Sequence, residues 1–598
     1  MRHVREQFAN APRDFRPVPW WAWTGEMTRD GMDRQLLAMR EQGIFEFFIF
    51  AIYGLEVEFN SDAYFELVAH TLQRCRQWGM KAWIYDDFNW PSGICAGKVL
   101  RDHPWTNARV LRCHPVEVGP GNSAEIVVEG AFERAFFVTH SGRLLTLPEN
   151  TLSNTAAGKV CRYHNDTGEG GQMLLFEVLP YRGLFASAEG ATWTWNQPGY
   201  LDVLNPRAVR VFIDYCYEPY AQRFGEYLGK EIPGFFTDEP GLYGWYGVGP
   251  YSFPYTPELF ALFRRHYGYG LEERLVELMA EVGAWQRTRF DYWRLVTRLF
   301  AESYVAQINE WCHERGLQFT GHFAGEETLR WNVSFNGDLH WPARRMSVPG
   351  IDLLGDQTPY DAATTSMFYG GLRGLNLTAK QVASAADYIG AARRMAEAYG
   401  VVDWDQSLAR MRRVVDFLAA MGINLINDNT LIYTLQGFRK RRVSGKTFTT
   451  PWWRHYRHFS EHVGRVCWMT TVGQAVERVG VLYPETAAWV LYGGSFPNSL
   501  EASAWPAVER ALVETCDALN RVHRGWKFIY EDDLAKATVE AGGLWIGQLP
   551  FTTVILAGSV ALSRAAYQRL LEFAKSGGRL LIVGDIPCAP PDLDWDVQ

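Results

Sequence analysis

LGKEIPGFFTDEPG, residues 228–241, carries three signals in a row. Gly229 follows a stretch of helical apolar spacing and suits a helix C-terminus, where a left-handed backbone costs glycine little. The apolar run IPGFF then reads as a strand buried on both faces. Asp238 and Glu239 end that strand, and Pro240 cannot continue the ladder. The same order of helix, glycine and apolar strand recurs at Gly43 before IFEFFIF, Gly79 before MKAWIYDD, Gly316 before LQFTGHF and Gly422 before INLIND. Helices alternating with continuous apolar strands predict a parallel sheet in an α/β fold.

Filling the gaps yields eight strands, at 17–23, 45–52, 81–88, 232–239, 317–324, 350–357, 379–386 and 423–430. Eight parallel strands fit a closed (β/α)8 TIM barrel better than an open sheet, and such a barrel keeps its chemistry at the C-terminal strand ends. Asp86, Asp87, Asp238, Glu239, His322, Asp356, Asn427 and Asn429 all fall there. Residues 108–195 interrupt the pattern with EIVVEG, RAFFVTH, GRLLTL and MLLFEVL, which predict an antiparallel β-rich insert. The barrel is therefore expected over 1–107 and 196–470. From 471 to 598 a new series begins with ERVGVLY, KFIYEDD, FTTVILAG and GGRLLIVGD. It predicts a doubly wound, Rossmann-like α/β domain, read as incomplete at residue 598.

Composition narrows the function classes. With 47% hydrophobic and 21% charged residues, the 598-residue chain has the make-up of a globular protein. A net charge of −8 without a basic stripe argues against a nucleic-acid partner. No apolar run reaches a membrane span, and MRHVREQFANAPRDF has no secretory apolar core, so a cytoplasmic location is expected. The nine cysteines are odd in number and form no C-x-x-C, which reads as reduced thiols. The 24 Trp offer faces for CH-rich surfaces and N–H groups for polar partners, a combination that suits carbohydrate. The sequence gives no oligomeric state.

Individual motifs supply the candidates. In GFFTDEP, adjacent carboxylates at a strand end raise one another's pKa, which suits Glu239 to general-acid work beside Asp238. WIYDDFNWPSG sets Asp86 and Asp87 ahead of Trp90, as acceptors for hydroxyls beside an aromatic platform. PWWAWTG adds Trp21 as a substrate contact, against the alternative of a core role for Trp20, Trp21 and Trp23. TGHFAGEE supplies His322 as a hydrogen-bonding group and Glu326 as a carboxylate, without the H-E-x-x-H pattern of a zinc site. GIDLLGDQ offers Asp352 and Asp356, of which Asp356 lies nearer the strand's C-terminal end. INLINDNT adds Asn427 as a hydroxyl ligand. No metal is assigned.

The stretches PWWAWTGEMT, DDFNWPSGICAGKV, YLDVLNPRAV, GFFTDEP, TGHFAGEE, VPGIDLLG and GFRKRR…TPWW resemble the glycoside hydrolase family 106 group of α-L-rhamnosidases and its relatives. They cover residues of about 17–105 and 200–456, and the tail resembles the α/β domain that follows the barrel in such enzymes, as in β-galactosidases. The resemblance implies inverting hydrolysis of a terminal α-L-rhamnoside or similar sugar, with Glu239 as acid. No cofactor is required, though calcium at the substrate hydroxyls belongs to the same expectation. A second carboxylate is expected from a Ser-Glu pair on the seventh strand, where AKQVASAADYIG aligns Ser384 and Ala385. On this alignment Glu326 or Asp387 supplies the base instead. A retaining β-glycosidase on the same barrel, and a sugar-binding homologue impaired by Ala385, stand as the rival readings.

Overall fold

The computed structural model describes residues 2–155, 158–182, 199–242, 251–353, 355, 358, 375–402, 404–437, 439, 448–473, 475–494 and 505–587. Its centre is a set of parallel strands alternating with helices: β1 (Trp20–Gly25), β2 (Glu46–Leu55), β3 (Lys81–Phe88), β4 (Gly234–Asp238), β5 (Gln318–His322), β6 (Gly350–Leu353), β7 (Met395–Ala398), β8 (Leu425–Asp428) and β9 (Leu431–Ile432). They form a six-stranded sheet in the order β5-β4-β3-β2-β1-β9 and a three-stranded sheet in the order β6-β7-β8. Two links join the sheets. Thr320 of β5 bridges Val348, just ahead of β6. Val18, just ahead of β1, donates its N–H to the Ile426 carbonyl of β8 at 2.9 Å.

Side chains alternate across each strand, so one set faces the helices and the other faces inward. The inward set forms its own apolar cluster, with Trp20 and Ala22 from β1, Phe48 and Phe50 from β2, Trp83 and Tyr85 from β3, Phe236 from β4, Met395 from β7, Leu425 from β8 and Ile432 from β9. Trp20 meets Tyr85 and Phe236 edge-on, with centroids 5.5 and 5.3 Å away. Such aromatic contacts add about 0.5–1.5 kcal/mol each beyond area burial. This inner core is the floor on which the strand ends stand.

The seventh strand is not at 379–386. That segment belongs to the helix Leu375–Ile389, and β7 begins nine residues beyond the end of the expected strand, at Met395. Residues 377–386 are buried throughout, because neighbours cover the helix on every side. A helix buried all round lacks the polar face that distinguishes it from a buried strand. Its Ala, Lys and Gln content nevertheless favours helix. Gly390, in the left-handed region at φ 70°, follows the helix end, so the helix–glycine–strand order holds here too.

The insert contains a five-stranded antiparallel sheet in the order Ser252–Tyr255, Arg109–Val118, Gly171–Pro180, Ala131–Thr139, Leu144–Thr146. Its first strand comes from the chain after Glu239, outside the expected 108–195. Beyond 471, four parallel strands run in the order Trp526–Ile529, Val479–Leu482, Thr553–Ala557, Arg579–Val583. The eight described cysteines are buried free thiols. Among the described residues, no helix is long and apolar enough to cross a membrane.

Ala385 is 0% exposed within its helix. Ala385→Glu is expected to bury an unpaired carboxylate and to destabilise the chain by about 3 kcal/mol or more. A thermal scan checks this; an unchanged melting temperature would contradict the helical placement.

Candidate functional site

The strand ends gather one layer of ionisable side chains directly above the inner core. Phe236, Met395 and Leu425 belong to that core. Two residues on, and therefore on the same face, stand Asp238, Glu397 and Asn427. Register aligns Asp238 with His322 across β4 and β5, and Asp352 with Glu397 with Asn427 across β6, β7 and β8. Gly321 permits the close approach of β5 to β4, since a Cβ there would lie 2.0 Å from the Thr237 carbonyl oxygen.

Glu239 breaks the alternation. Its φ of 47° lies in the left-handed region, a conformation that costs a non-glycine residue about 1–2 kcal/mol. An extended Glu239 would point away from Asp238. The turn instead brings both carboxylates to His322: oxygens of Glu239 and Asp352 lie within 4.8 Å of a His322 nitrogen and of each other, as do those of Asp238 and Glu397. The Glu239 N–H donates to the His322 carbonyl at 3.1 Å, which holds the turn. Trp90 Nε1–H donates to Glu239 Oε2. Burial, then the neighbouring Asp238 charge, pushes the Glu239 carboxyl up to about 8.

His322 is buried, with Nε2 at 2.6 Å from Glu397 Oε2 and 3.3 Å from Asp238 Oδ1. Burial disfavours the imidazolium, but the hydrogen bond to Glu397 and the charges of Glu397, Asp238 and Asp352 outweigh it and hold His322 well above its ordinary value. Asn429 Nδ2 donates to the other oxygen of Glu397 at 2.6 Å. Tyr85 donates to Asp238 Oδ2 at 2.6 Å. Asp352, at the end of β6, is pushed well up by burial and by Glu397. His322 Nδ1, Asp352 Oδ1 and Asn427 Oδ1 are buried and make no hydrogen bond among the described residues. Buried polar atoms are paired as a rule, so these three mark places where a polar ligand supplies the partner.

The remaining candidates divide. Trp90, Asp238, Glu239, His322 and Asn427 come together as described. Glu326 lies beside them, but its oxygens accept the Phe323 and Asp352 N–H groups, both at 2.9 Å, so it braces two strand ends. Asp86 and Asp87 are fully buried and bonded within the protein, contrary to a sugar-binding wall. Asp86 accepts from Ser92 at 2.5 Å and Tyr217 at 2.6 Å. Asp87 accepts the N–H groups of Phe88, Gly93, Ile94, Cys95 and Ala96 at 2.7–3.0 Å, which shapes the loop that carries Trp90. Trp21 faces the helices, fully buried, and donates to Gln35 at 2.7 Å, so it is core. Asp387 does not reach the site. It sits on the helix Leu375–Ile389, paired with Arg394 and Lys527, beside a cavity of about 1190 Å³ facing the C-terminal region. Asp356 lies outside the described residues.

Sequence reasoning missed Glu397 and set Asp352 behind Asp356. The signal for Glu397 was present: RMAEAYG follows a helix-ending glycine, as the other strands do.

Solved structures share this fold. A rhamnosidase from Novosphingobium sp. PP1Y superposes with a TM-score of 0.67 at 14% identity, over 98% of this chain and 70% of that one. The cold-adapted β-galactosidase from Rahnella sp. R3 gives 0.56 at 12% identity, over 96% and 72%. The β-galactosidase of Halorubrum lacusprofundi gives 0.56 at 10% identity, over 98% and 75%. No protein-family model and no curated protein sequence matches the chain.

Asp87→Ala is expected to strip five backbone N–H groups of their acceptor, costing about 3 kcal/mol or more. Faster proteolysis within 89–97, together with a lower melting temperature, is the readout. Unaltered cleavage would mean that the clamp contributes little.

Proposed function

We propose that this chain is a glycoside hydrolase built on a (β/α)8 barrel, with β1 to β9 acting as one closed wall around the inner core. It removes a terminal sugar, an α-L-rhamnoside or a similar deoxy-sugar, by inversion. The observation that carries this reading is the meeting of two buried carboxyl groups, Glu239 and Glu397, at His322. Glu239 is raised to about 8 and holds its proton near neutral pH. Glu397 accepts from His322 and from Asn429. One group is thus set to give a proton and the other to take one, as two-carboxylate glycosidases require.

In this mechanism Glu239 protonates the leaving oxygen, and Trp90 holds the carboxyl through Oε2. Glu397 draws the proton from a water on the opposite face of the sugar. His322 Nδ1, Asp352 Oδ1 and Asn427 Oδ1 bind hydroxyls, which explains their lack of protein partners. The base comes from the seventh strand, as the family resemblance requires once that strand is read at Met395–Ala398. The fold shared with the Novosphingobium rhamnosidase supports a rhamnoside as substrate. The Asp352 oxygen, unbonded among the described residues, also fits a calcium ion, which when bound would bring positive charge to the sugar hydroxyls. A retaining β-glycosidase is the second reading, favoured by the Asp352 oxygen within 4.8 Å of Glu239, a short spacing that suits a nucleophile.

Proton NMR of the first-formed anomer on an aryl-glycoside panel tests the reading. Inversion is expected; retention transfers the second role to Asp352. Glu239→Gln is expected to slow poor leaving groups by about 10²–10⁴-fold and activated ones far less. Equal loss on both would count against an acid role. Because Glu239 acts protonated, kcat/KM should hold below pH 8 and fall as pH rises through about 8. The Glu239→Gln profile should lack that fall, and its persistence would assign the limb to another group.

A further inference from the structure

A second cluster of ionisable side chains lies away from the strand ends, at the junction with the C-terminal region. Asp338 and His340 stand at the start of the short helix His340–Ala343. Glu485 opens the helix Glu485–Leu491, and Asp532 belongs to Glu531–Lys536. The side chains of Asp338, His340 and Glu485 are 2%, 0% and 0% exposed. His340 Nδ1 lies 2.5 Å from Asp338 Oδ1 and 3.3 Å from Glu485 Oε2. On the far side of the ring, Nε2 faces Asp532 Oδ1 at 3.5 Å, and Tyr530 stacks at 3.8 Å.

The Glu485 carboxylate is only half paired. Glu485 Oε1 accepts the Glu531 N–H at 2.8 Å. Oε2 accepts no hydrogen bond among the described residues, although it is buried and turned toward His340. Asp338, Asp532 and Glu531 add negative charge around it. The nearby Arg344 is engaged by both oxygens of Asp533. A buried carboxylate oxygen with no donor, facing an imidazole nitrogen and a second carboxylate, has the environment of a metal ligand.

We propose that Asp338 Oδ1, His340 Nδ1 and Glu485 Oε2 bind a divalent transition-metal cation that ties the C-terminal α/β region to the body of the chain. The three atoms lie within 4.8 Å of one another. Metal–donor bonds of about 2.0–2.2 Å place neighbouring ligand atoms roughly 3.0–3.5 Å apart. The Glu485–His340 spacing of 3.3 Å already matches, and the Asp338–His340 spacing of 2.5 Å is shorter. Asp532 Oδ1 stands 3.5 Å from Nε2, on the side of the ring away from the ion, where an outer carboxylate orients a metal-bound histidine. One imidazole with two carboxylates suits zinc or manganese better than calcium, which takes all-oxygen cages. The ligands come from both sides of the junction, so the ion is structural and independent of the strand-end chemistry.

Metal analysis and thermal unfolding of the full chain test this, before and after EDTA dialysis and on re-addition of Zn²⁺, Mn²⁺ or Ca²⁺. One equivalent of Zn²⁺ or Mn²⁺ should bind, and chelation should lower the melting temperature by several degrees, reversed by Zn²⁺ or Mn²⁺ but not by Ca²⁺. Glu485→Gln should lose both that equivalent and the chelator response, whereas Glu397→Gln should keep both, which separates this ion from any held at the strand ends. Cobalt-loaded protein should show visible bands that Glu485→Gln lacks. A chain without stoichiometric metal and indifferent to EDTA, or a Glu485→Gln variant with unchanged metal content, overturns the proposal. A Glu485→Gln variant as stable as the untreated chain, with no metal in either, overturns it too and assigns Glu485 a proton instead.

Discussion

His322 is the cation around which the strand ends are arranged. Asp238 and Glu397 lie in contact with its Nε2, and Asp352, Glu239 and Glu326 stand close by. Five carboxyl groups in one buried space cannot all ionise, because each charge lost from water raises the cost of the next. Burial pushes Glu239, Asp352 and Glu326 up. A single histidine, fixed by a strand register and by a glycine that allows two strands to approach, thus gathers these side chains into one layer.

Much of this architecture is legible in the residues alone. The five glycines that end helices mark where strands begin, and seven of the eight expected strands overlap an observed one. GFFTDEP and TGHFAGEE contain register-paired Asp238 and His322. Their side chains meet because period-2 alternation sends both inward above the same core. Glu239 was legible as a strand-end carboxylate. Its left-handed backbone was not, since nothing in an Asp-Glu-Pro sequence announces a positive φ.

The misreadings share one cause: contacts from distant segments. AKQVASAA resembles a strand because its polar face is covered by the C-terminal region, a condition invisible in local periodicity. Asp86 and Asp87 look like ligands because paired acids at a strand end usually face solvent. Here Tyr217, Ser92 and a ring of backbone N–H groups enclose them. Trp21 is decided by Gln35 and the helix layer behind it. In each case the residue type was right for binding and the partner was supplied by the protein itself.

The same covering links the C-terminal region to the site. On the helix Leu375–Ile389, Lys380 pairs with Glu477, the Ser384 hydroxyl accepts the Phe528 N–H, Tyr388 donates to the Phe528 carbonyl and Asp387 meets Lys527. That helix runs directly into β7, and β7 carries Glu397. Four polar contacts from beyond residue 471 therefore hold the helix that leads into the strand of Glu397. Met395–Ala398 is a strand of four residues, paired along its length with β6 and β8. The position of Glu397 against His322 thus rests on strand pairing and on the contacts that the C-terminal region makes with the preceding helix, which joins the two regions in one folding unit.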